Sequence, residues 1–236
     1  MTNRWRSLTL LVIAKEPLPG SVKTRLIPAL GPQRAALVAE AALSDTLATV
    51  AVTPAHRRVV VLEGNPGPWL PPGFEIVPQV SGCLGTRLAA AFAALDGPGL
   101  VLGMDTPQVR PDDLDLRHVE EAGASAAFGP ARDGGYWALG MVEPDPEVFD
   151  GVAMSTSQTA RHQRDRLVEL GHRIVELPTL RDVDTIDDAV AVARAAPHTT
   201  FARTLHSLAP EAFDPAHLEG GHRIGAPPAG DRSLAP

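Results

Sequence analysis

LTLLVIAKEPLPGSVKTRL, residues 8–26, joins an apolar run to a loop holding two prolines, one glycine and the basic residues Lys15, Lys23 and Arg25. An apolar run of that length reads as a strand buried on both faces, the kind found in a parallel sheet covered by helices. Pro and Gly are ordinary turn punctuation, so the loop is by default a solvated connection. Three cations between a strand and a helix suggest more. Backbone N–H groups and ammonium or guanidinium charges at such a place can hold a phosphate chain.

Outward from this stretch, strand-like and helix-like patterns alternate. An Ala/Leu-rich helix is expected from Pro32, followed by a strand in RRVVVLE at 57–63 and a third strand in FEIVPQ at 74–79. Next come a helix in TRLAAAFAAL, a strand in LVLGMD ending at Asp105, and a helix from Pro111 to Ala122. Two strands, Ala124 to Gly129 and Tyr136 to Met141, flank the turn Arg132-Asp133-Gly134-Gly135. Ser155-Thr156-Ser157-Gln158 reads as a capping box opening a helix to about Leu170. A strand at Arg173 to Leu177 and a helix from Ile186 to Ala195 complete the pattern. The expected fold class is α/β, three layers with a mostly parallel central sheet. One domain is expected over residues 1–213, and the Gly- and Pro-rich segment 214–236 reads as a flexible tail. There is no internal repeat.

Composition sets limits. At 236 residues the chain can bury a core without staples, and its single Cys83 excludes an intramolecular disulfide, in keeping with a reducing compartment. A net charge of −7 argues against a broad nucleic-acid footprint, so any cationic patch is local. Arg4 and Arg6 ahead of LTLLVIA imitate a signal peptide, but Lys15 ends the run early and no cleavage site follows. Nothing elsewhere in the sequence is read as approaching a membrane-spanning length. The expectation is a cytoplasmic protein with no membrane or nucleic-acid partner.

In open α/β sheets ligands lie beyond the carboxyl ends of the strands. Three such places stand out: the basic loop, Asp105, and Arg181-Asp182-Val183-Asp184-Thr185. A strand-end carboxylate joined by one or two from a distant loop can hold Mg²⁺ while phosphate oxygens and waters complete the octahedron. In an extended loop, Asp182 and Asp184 point the same way. Taken singly, Asp105 is equally a turn residue before Pro107, and Asp182 or Asp184 a helix cap. Other motifs are missing. GSVKTR has Val22 where a P-loop needs Gly, and there is no dinucleotide fingerprint, zinc spacing or nucleophile elbow.

AKEPLPGSVKTRL, QVSGCLGTRL from Gln79, LGMDTPQV from Leu102, FGPARDGGYWALGM from Phe128 and DVDTIDDA from Asp182, in this order, resemble the selenodomain-associated transferase family. That family belongs to the nucleotide-diphospho-sugar transferase superfamily and has a glycosyltransferase-A-like fold. The resemblance implies that Ala14, Lys15, Gly20, Lys23 and Arg25 form the nucleotide and phosphate loop, and that Gln79, Gly82, Gly85 and Arg87 border base and ribose. It implies metal ligation of Mg²⁺, with Mn²⁺ as the alternative, by Asp105 and Asp184, with Asp182 beside them. Asp133, Gly134 and Gly135 match a turn on the acceptor side. Lys23, Asp105 and Asp133 are the catalytic candidates. Met104 departs from relatives that carry a hydroxyl residue before the Asp, and at this strand end, beside Asp105, the paired Asp-x-Asp of many glycosyltransferases is missing.

Three readings follow. The first is nucleotidyl transfer from an NTP to a phosphorylated small molecule, and the three cations favour it because they suit a triphosphate. The second is glycosyl transfer from a nucleotide-sugar, with Asp133 as base. The third is a nucleotide-binding regulator without activity. The partners expected are thus a nucleotide and a small-molecule acceptor.

Overall fold

A computed structural model describes residues 7–214, arranged around one seven-stranded sheet. The strands are β1 (Thr9–Lys15), β2 (Arg57–Glu63), β3 (Glu75–Pro78), β4 (Gly99–Gly103), β5 (Ala126–Pro130), β6 (Tyr136–Met141) and β7 (Ile174–Glu176). They lie in the order β3-β2-β1-β4-β6-β5-β7, and β6 alone runs antiparallel to its neighbours. Alternate residues of the central strands feed two cores. Leu10, Val12, Val60, Leu100 and Leu102 face one side, while Leu11, Val59, Val61 and Val101 face the other. Both faces are therefore buried, which is why the strands read as apolar runs without polar alternation.

Helices cover both faces. On the first face lies α1 (Ile27–Val52), with Leu43, Leu47 and Val50 in the core. On the second lie α2 (Leu84–Ala93), through Leu88 and Phe92, and α4 (Thr159–Glu169), through Leu167. The short α3 is Arg117–Glu121. A third cluster joins α1 to α5 (Ile186–Ala195) and α6 (Thr200–Leu208) through Leu30, Val38, Val190 and Phe201. The architecture is the expected three-layer α/β/α sandwich with a mostly parallel sheet.

Four expectations need correction. Residues 111–122 are not one helix: a 3-10 turn at Pro111–Leu114 precedes α3, because the Asp115 carboxylate accepts the Arg117 N–H (3.1 Å) and bends the chain. Ser155-Thr156-Ser157-Gln158 does not cap α4. The Thr156 N–H donates to Thr159 Oγ1 (3.0 Å), the Gln158 N–H to Thr156 Oγ1 (3.2 Å), and Ser155 adopts φ 60°, so the helix starts at Thr159. Helix α6 has no counterpart among the sequence expectations. Its free N–H groups are met by the Thr199 hydroxyl and, from α1, by the Asp45 carboxylate at 3.0 and 2.7 Å from the N–H groups of Thr200 and Phe201. Finally, the helical segment Thr24–Val52 is long and apolar enough by composition to cross a membrane. Its apolarity serves the interior, since eleven residues of α1 are buried. The tail expected at 214–236 lies, apart from Asp214, outside the described residues.

Candidate active site

Because six strands point the same way, the ends of β1, β2, β3, β4, β5 and β7 and the start of β6 meet along one edge of the sheet. A cleft of about 610 Å³ opens there. One wall carries Ala14, Lys15, Arg25, Glu63, Gln79 and Arg87; the other carries Asp133, Gly135, Tyr136, Met154 and the run Ser155-Thr156-Ser157. Gly103 to Thr106, with Asp182 and Asp184, form its floor.

The basic loop does not simply present its cations to solvent. Lys23 takes the left-handed conformation, φ 47° and ψ 44°, which turns its side chain inward ahead of the 3-10 turn Thr24–Leu26. Its ammonium lies 2.8 Å from Asp105 Oδ2 and 3.3 Å from Asp184 Oδ1, with the side chain only 7% exposed. Burial alone would push this pKa down. The charge of and hydrogen bond to Asp105, joined by Asp184, offset burial and hold it above the ordinary lysine value. Arg25, 72% exposed, holds the other Asp184 oxygen at 2.8 Å. Lys15 pairs with Glu63 at 3.1 Å, and its backbone N–H donates to the Met104 sulfur at 3.3 Å. Met104 thus ties the end of β1 to that of β4, and the departure from a hydroxyl residue at this position gains a packing role.

Gln79 works mainly as a stitch in the sheet. Its amide donates to the carbonyls of Ala14 (2.7 Å) and Val61 (3.0 Å), while its oxygen accepts from Arg87 at 2.8 Å. Arg87 also holds Glu63 and, through Nε, the Gly82 carbonyl. Arg87 first and Lys15 second keep the Glu63 carboxyl below the usual range. Gly20 and Gly82 provide positive-φ bends, φ 79° and 123°, and Gly85 packs in the first turn of α2 near Met154. None of these three lines the cleft, whereas Ala14, Lys15, Arg25, Gln79, Arg87, Asp105, Asp133, Asp182 and Asp184 all do. Lys23 sits beneath it, in a side pocket shared with Lys15, Arg25, Asp105 and Asp184.

On the far wall, one Asp133 oxygen accepts the Gly135 N–H at 2.8 Å. The turn is tied to α4, whose Ala160 N–H donates to the Gly134 carbonyl (2.8 Å), and lies against the Ser155–Ser157 run, where a Cβ on Gly134 would fall 2.1 Å from the Ser157 carbonyl oxygen. Gly134, at φ 90°, is therefore required both for the turn and for that approach. Sequence reasoning missed Glu63 and the hydroxyl run. Glu63 could have been found by the strand-end rule that found Asp105. The hydroxyl run was hidden because its residues also spell a helix cap.

The site's fit for a divalent cation rests on its donors. Asp182 Oδ1 and the hydroxyl of Thr106 are buried and have no hydrogen-bond partner among the described residues. Burial first, then the charges of Asp105, Asp133 and Asp184, push the Asp182 carboxyl up to about 7, and the Lys23 ammonium offsets them only in part. Hard carboxylate oxygens are the right donors for Mg²⁺. Among the described residues, however, no three His, Cys, Asp or Glu side chains converge on one point. The ammonium of Lys23 stands between Asp105 and Asp184 instead. The donor set fits a divalent cation on condition that Lys23 yields.

Residues 37–156, just over half of the chain, match a family described as uncharacterized protein conserved in bacteria (DUF2064). No curated protein sequence matches. Among solved structures, a Desulfovibrio desulfuricans G20 protein provisionally described as a nucleotide-diphospho-sugar transferase is 25% identical with a TM-score of 0.76, over 87% of this chain and 97% of that one. A CMP:2-keto-3-deoxy-manno-octonic acid synthetase complexed with CTP is 10% identical with a TM-score of 0.53, over 81% and 99%. The 2-C-methyl-D-erythritol 4-phosphate cytidylyltransferase from Thermus thermophilus is 16% identical with a TM-score of 0.50, over 81% and 99%. The fold of this chain is that of the nucleotide-diphospho-sugar transferases and cytidylyltransferases.

Proposed function

The chain belongs to the bacterial DUF2064 family, and from that premise we propose that it is a divalent-cation-dependent transferase acting on a nucleotide bound in the sheet-end cleft. The order of its five motifs supports placing it among the selenodomain-associated transferases. The observation that carries the reading is the meeting, at one edge of the sheet, of the basic loop with Asp105, Asp182 and Asp184.

Charge supports the cation. The cleft is lined by three cationic side chains, Lys15, Arg25 and Arg87, and five carboxylates, Glu63, Asp105, Asp133, Asp182 and Asp184. Even with Lys23 beneath, paired to Asp105 and Asp184, carboxylates outnumber cations, so a polyphosphate calls for further positive charge. A divalent cation held by Asp105 and Asp184, with Asp182 alongside, would supply that charge and polarise phosphoryl oxygens.

The protein's own groups do the rest. Lys15 and Arg25 bind phosphate oxygens, and Lys23, once drawn off Asp105, adds a third charge where negative charge develops on the leaving group. The primary reading is nucleotidyl transfer from an NTP with release of pyrophosphate. Glycosyl transfer from a nucleotide-sugar is the second reading, favoured by the similarity to the Desulfovibrio protein and by the Asp133 carboxylate oxygen on the facing wall that has no partner among the described residues.

Calorimetric titration with each Mg²⁺-NTP and with nucleotide-sugars tests the binding step. Release of pyrophosphate or of nucleoside diphosphate across an acceptor panel separates the two transfers. Nucleotide binding without turnover would favour a regulator, and failure to bind any nucleotide would overturn the proposal.

A further inference from the structure

We propose that the second substrate is an unphosphorylated polyhydroxy compound, a sugar, polyol or cyclitol, held through its hydroxyl groups by the wall of Asp133, Ser155 and Ser157. This rests on the reading that a nucleotide occupies the wall of Lys15, Arg25 and Arg87.

The two walls differ in kind. The first carries every cation that lines the cleft, whereas the second carries Asp133 and hydroxyls. A phosphate monoester, a dianion near neutrality, would meet like charge there with no cation of that wall to offset it. Hydroxyl groups meet the opposite circumstances. Asp133 keeps one oxygen in its turn with Gly135, and its second has no partner among the described residues. The exposed hydroxyls of Ser155 and Ser157 make no hydrogen bonds among the described residues, while Thr156 is occupied by Thr159 and Gln158. At the cleft floor, Thr106 is 1% exposed and its hydroxyl has no hydrogen-bond partner among the described residues.

The wall is also held in place. Ser155 adopts φ 60°, a conformation that a non-glycine residue keeps only when its surroundings impose it, and the run is fixed against Gly134. Donors and acceptors fixed in this way bind without first losing loop freedom.

The chemistry agrees. A phosphate nucleophile is already anionic and needs no base, but a hydroxyl must lose its proton as it attacks. In nucleotidyl transfer the acceptor oxygen forms a bond to the α-phosphorus, and the bond from that phosphorus to the bridging oxygen of pyrophosphate breaks. Pyrophosphate leaves with the electron pair, and the hydroxyl proton passes to Asp133 and then to solvent. In glycosyl transfer the same proton passes as oxygen attacks the anomeric carbon and the nucleoside diphosphate leaves. An unphosphorylated acceptor replaces the phosphorylated one expected from the sequence.

The full chain with Mg²⁺ is assayed with each NTP and with nucleotide-sugars against D-hexoses, D-pentoses, glycerol and myo-inositol, beside their monophosphates. Released pyrophosphate or nucleoside diphosphate and product mass are read. At least one unphosphorylated compound should be consumed with kcat/KM at least about tenfold above its monophosphate. Asp133→Asn, which keeps the turn, should lower kcat by about a hundredfold or more, the scale of lost general-base catalysis. It should leave the calorimetric Kd for Mg²⁺-nucleotide within about twofold, and Ser157→Ala should raise the acceptor KM. Preference for the monophosphates, or no consumption of any unphosphorylated compound, overturns the inference. Absence of nucleotide binding in the separate titration overturns the underlying reading instead.

Discussion

Lys23→Met removes the ammonium that stands between Asp105 and Asp184 and leaves a side chain of similar length in its place. Removing one partner of a fully buried ion pair costs about 3–5 kcal/mol, because the remaining charge is stranded. Here the carboxylates are 35% and 33% exposed, and Arg25 still holds Asp184 at 2.8 Å. Water and Arg25 therefore recover part of the loss, and about 2 kcal/mol is expected in urea denaturation at neutral pH. The pH of the measurement is safe: the lysine pKa is raised, so its contribution is fully present below about 10.5 and is lost only as pH rises through the folded value. Adding Asp105→Asn to Lys23→Met should return much of the stability, a coupling that a double-mutant cycle reads directly. Cation binding should move the opposite way. Without nucleotide, Mn²⁺ titrated against the protein and followed by loss of the free-ion EPR signal should bind tighter to Lys23→Met than to wild type, while Mg²⁺-nucleotide binds more weakly. A variant as stable as wild type, with unchanged Mn²⁺ affinity, would refute the view that Lys23 serves as an internal counter-ion.

Asp182 predicts a pH effect of opposite sense to a paired carboxylate. Its pKa of about 7 lies above the unfolded value of about 4, so the stability tied to its proton is present below pH 4 and is lost as pH rises to 7. About three units correspond to at most about 4 kcal/mol, so Asp182→Asn should unfold at higher urea than wild type at pH 8 and differ little at pH 4; equal curves at pH 8 would contradict the assignment. Gly134→Ala forces a Cβ to within 2.1 Å of the Ser157 carbonyl and should lower stability by more than about 2 kcal/mol in thermal melts, with acceptor turnover lost even in folded protein. An unaltered melting temperature would show that the clamp is soft. Glu63→Gln frees Lys15 and Arg87 from their shared carboxylate, so Mg²⁺-nucleotide affinity should rise severalfold and become more sensitive to salt; unchanged calorimetric Kd values would remove the first wall from nucleotide binding.

The elements best read from sequence were those whose pattern is set by burial. RRVVVLE became β2 with the expected ends, and Ile186–Ala195 became α5, because a doubly covered strand and a capped amphipathic helix each carry their own signal. The Thr185 capping box is formed, with its hydroxyl 3.2 Å from the Asp188 N–H, and leaves Asp182 and Asp184 outside the cap. Where local chemistry offered two solutions, sequence could not choose. Ser155 to Gln158 had the composition of a cap, yet hydroxyl bonds to nearby backbone made a turn that became a cleft wall. Helix α6 draws part of its capping from Asp45, a residue 155 positions away, which no window along the chain contains.

The partition of roles within the site was illegible for the same reason. A sequence shows that Lys15, Lys23 and Arg25 are basic, but which one is buried depends on the left-handed backbone at Lys23 and on two aspartates, one just beyond β4 and one from the segment before α5. That arrangement constrains how the site can work. A cation entering between Asp105 and Asp184 must displace an ammonium, and the displaced ammonium is most easily accommodated by phosphate oxygens arriving with the same cation. Metal and nucleotide should thus bind with positive coupling, each paying part of the cost of moving Lys23. In the Lys23→Met protein that coupling should largely disappear, so Mn²⁺ affinity measured with and without nucleotide should differ far less than in wild type. Equal coupling in both proteins would place the linkage in direct metal–phosphate contact and leave Lys23 no part in it.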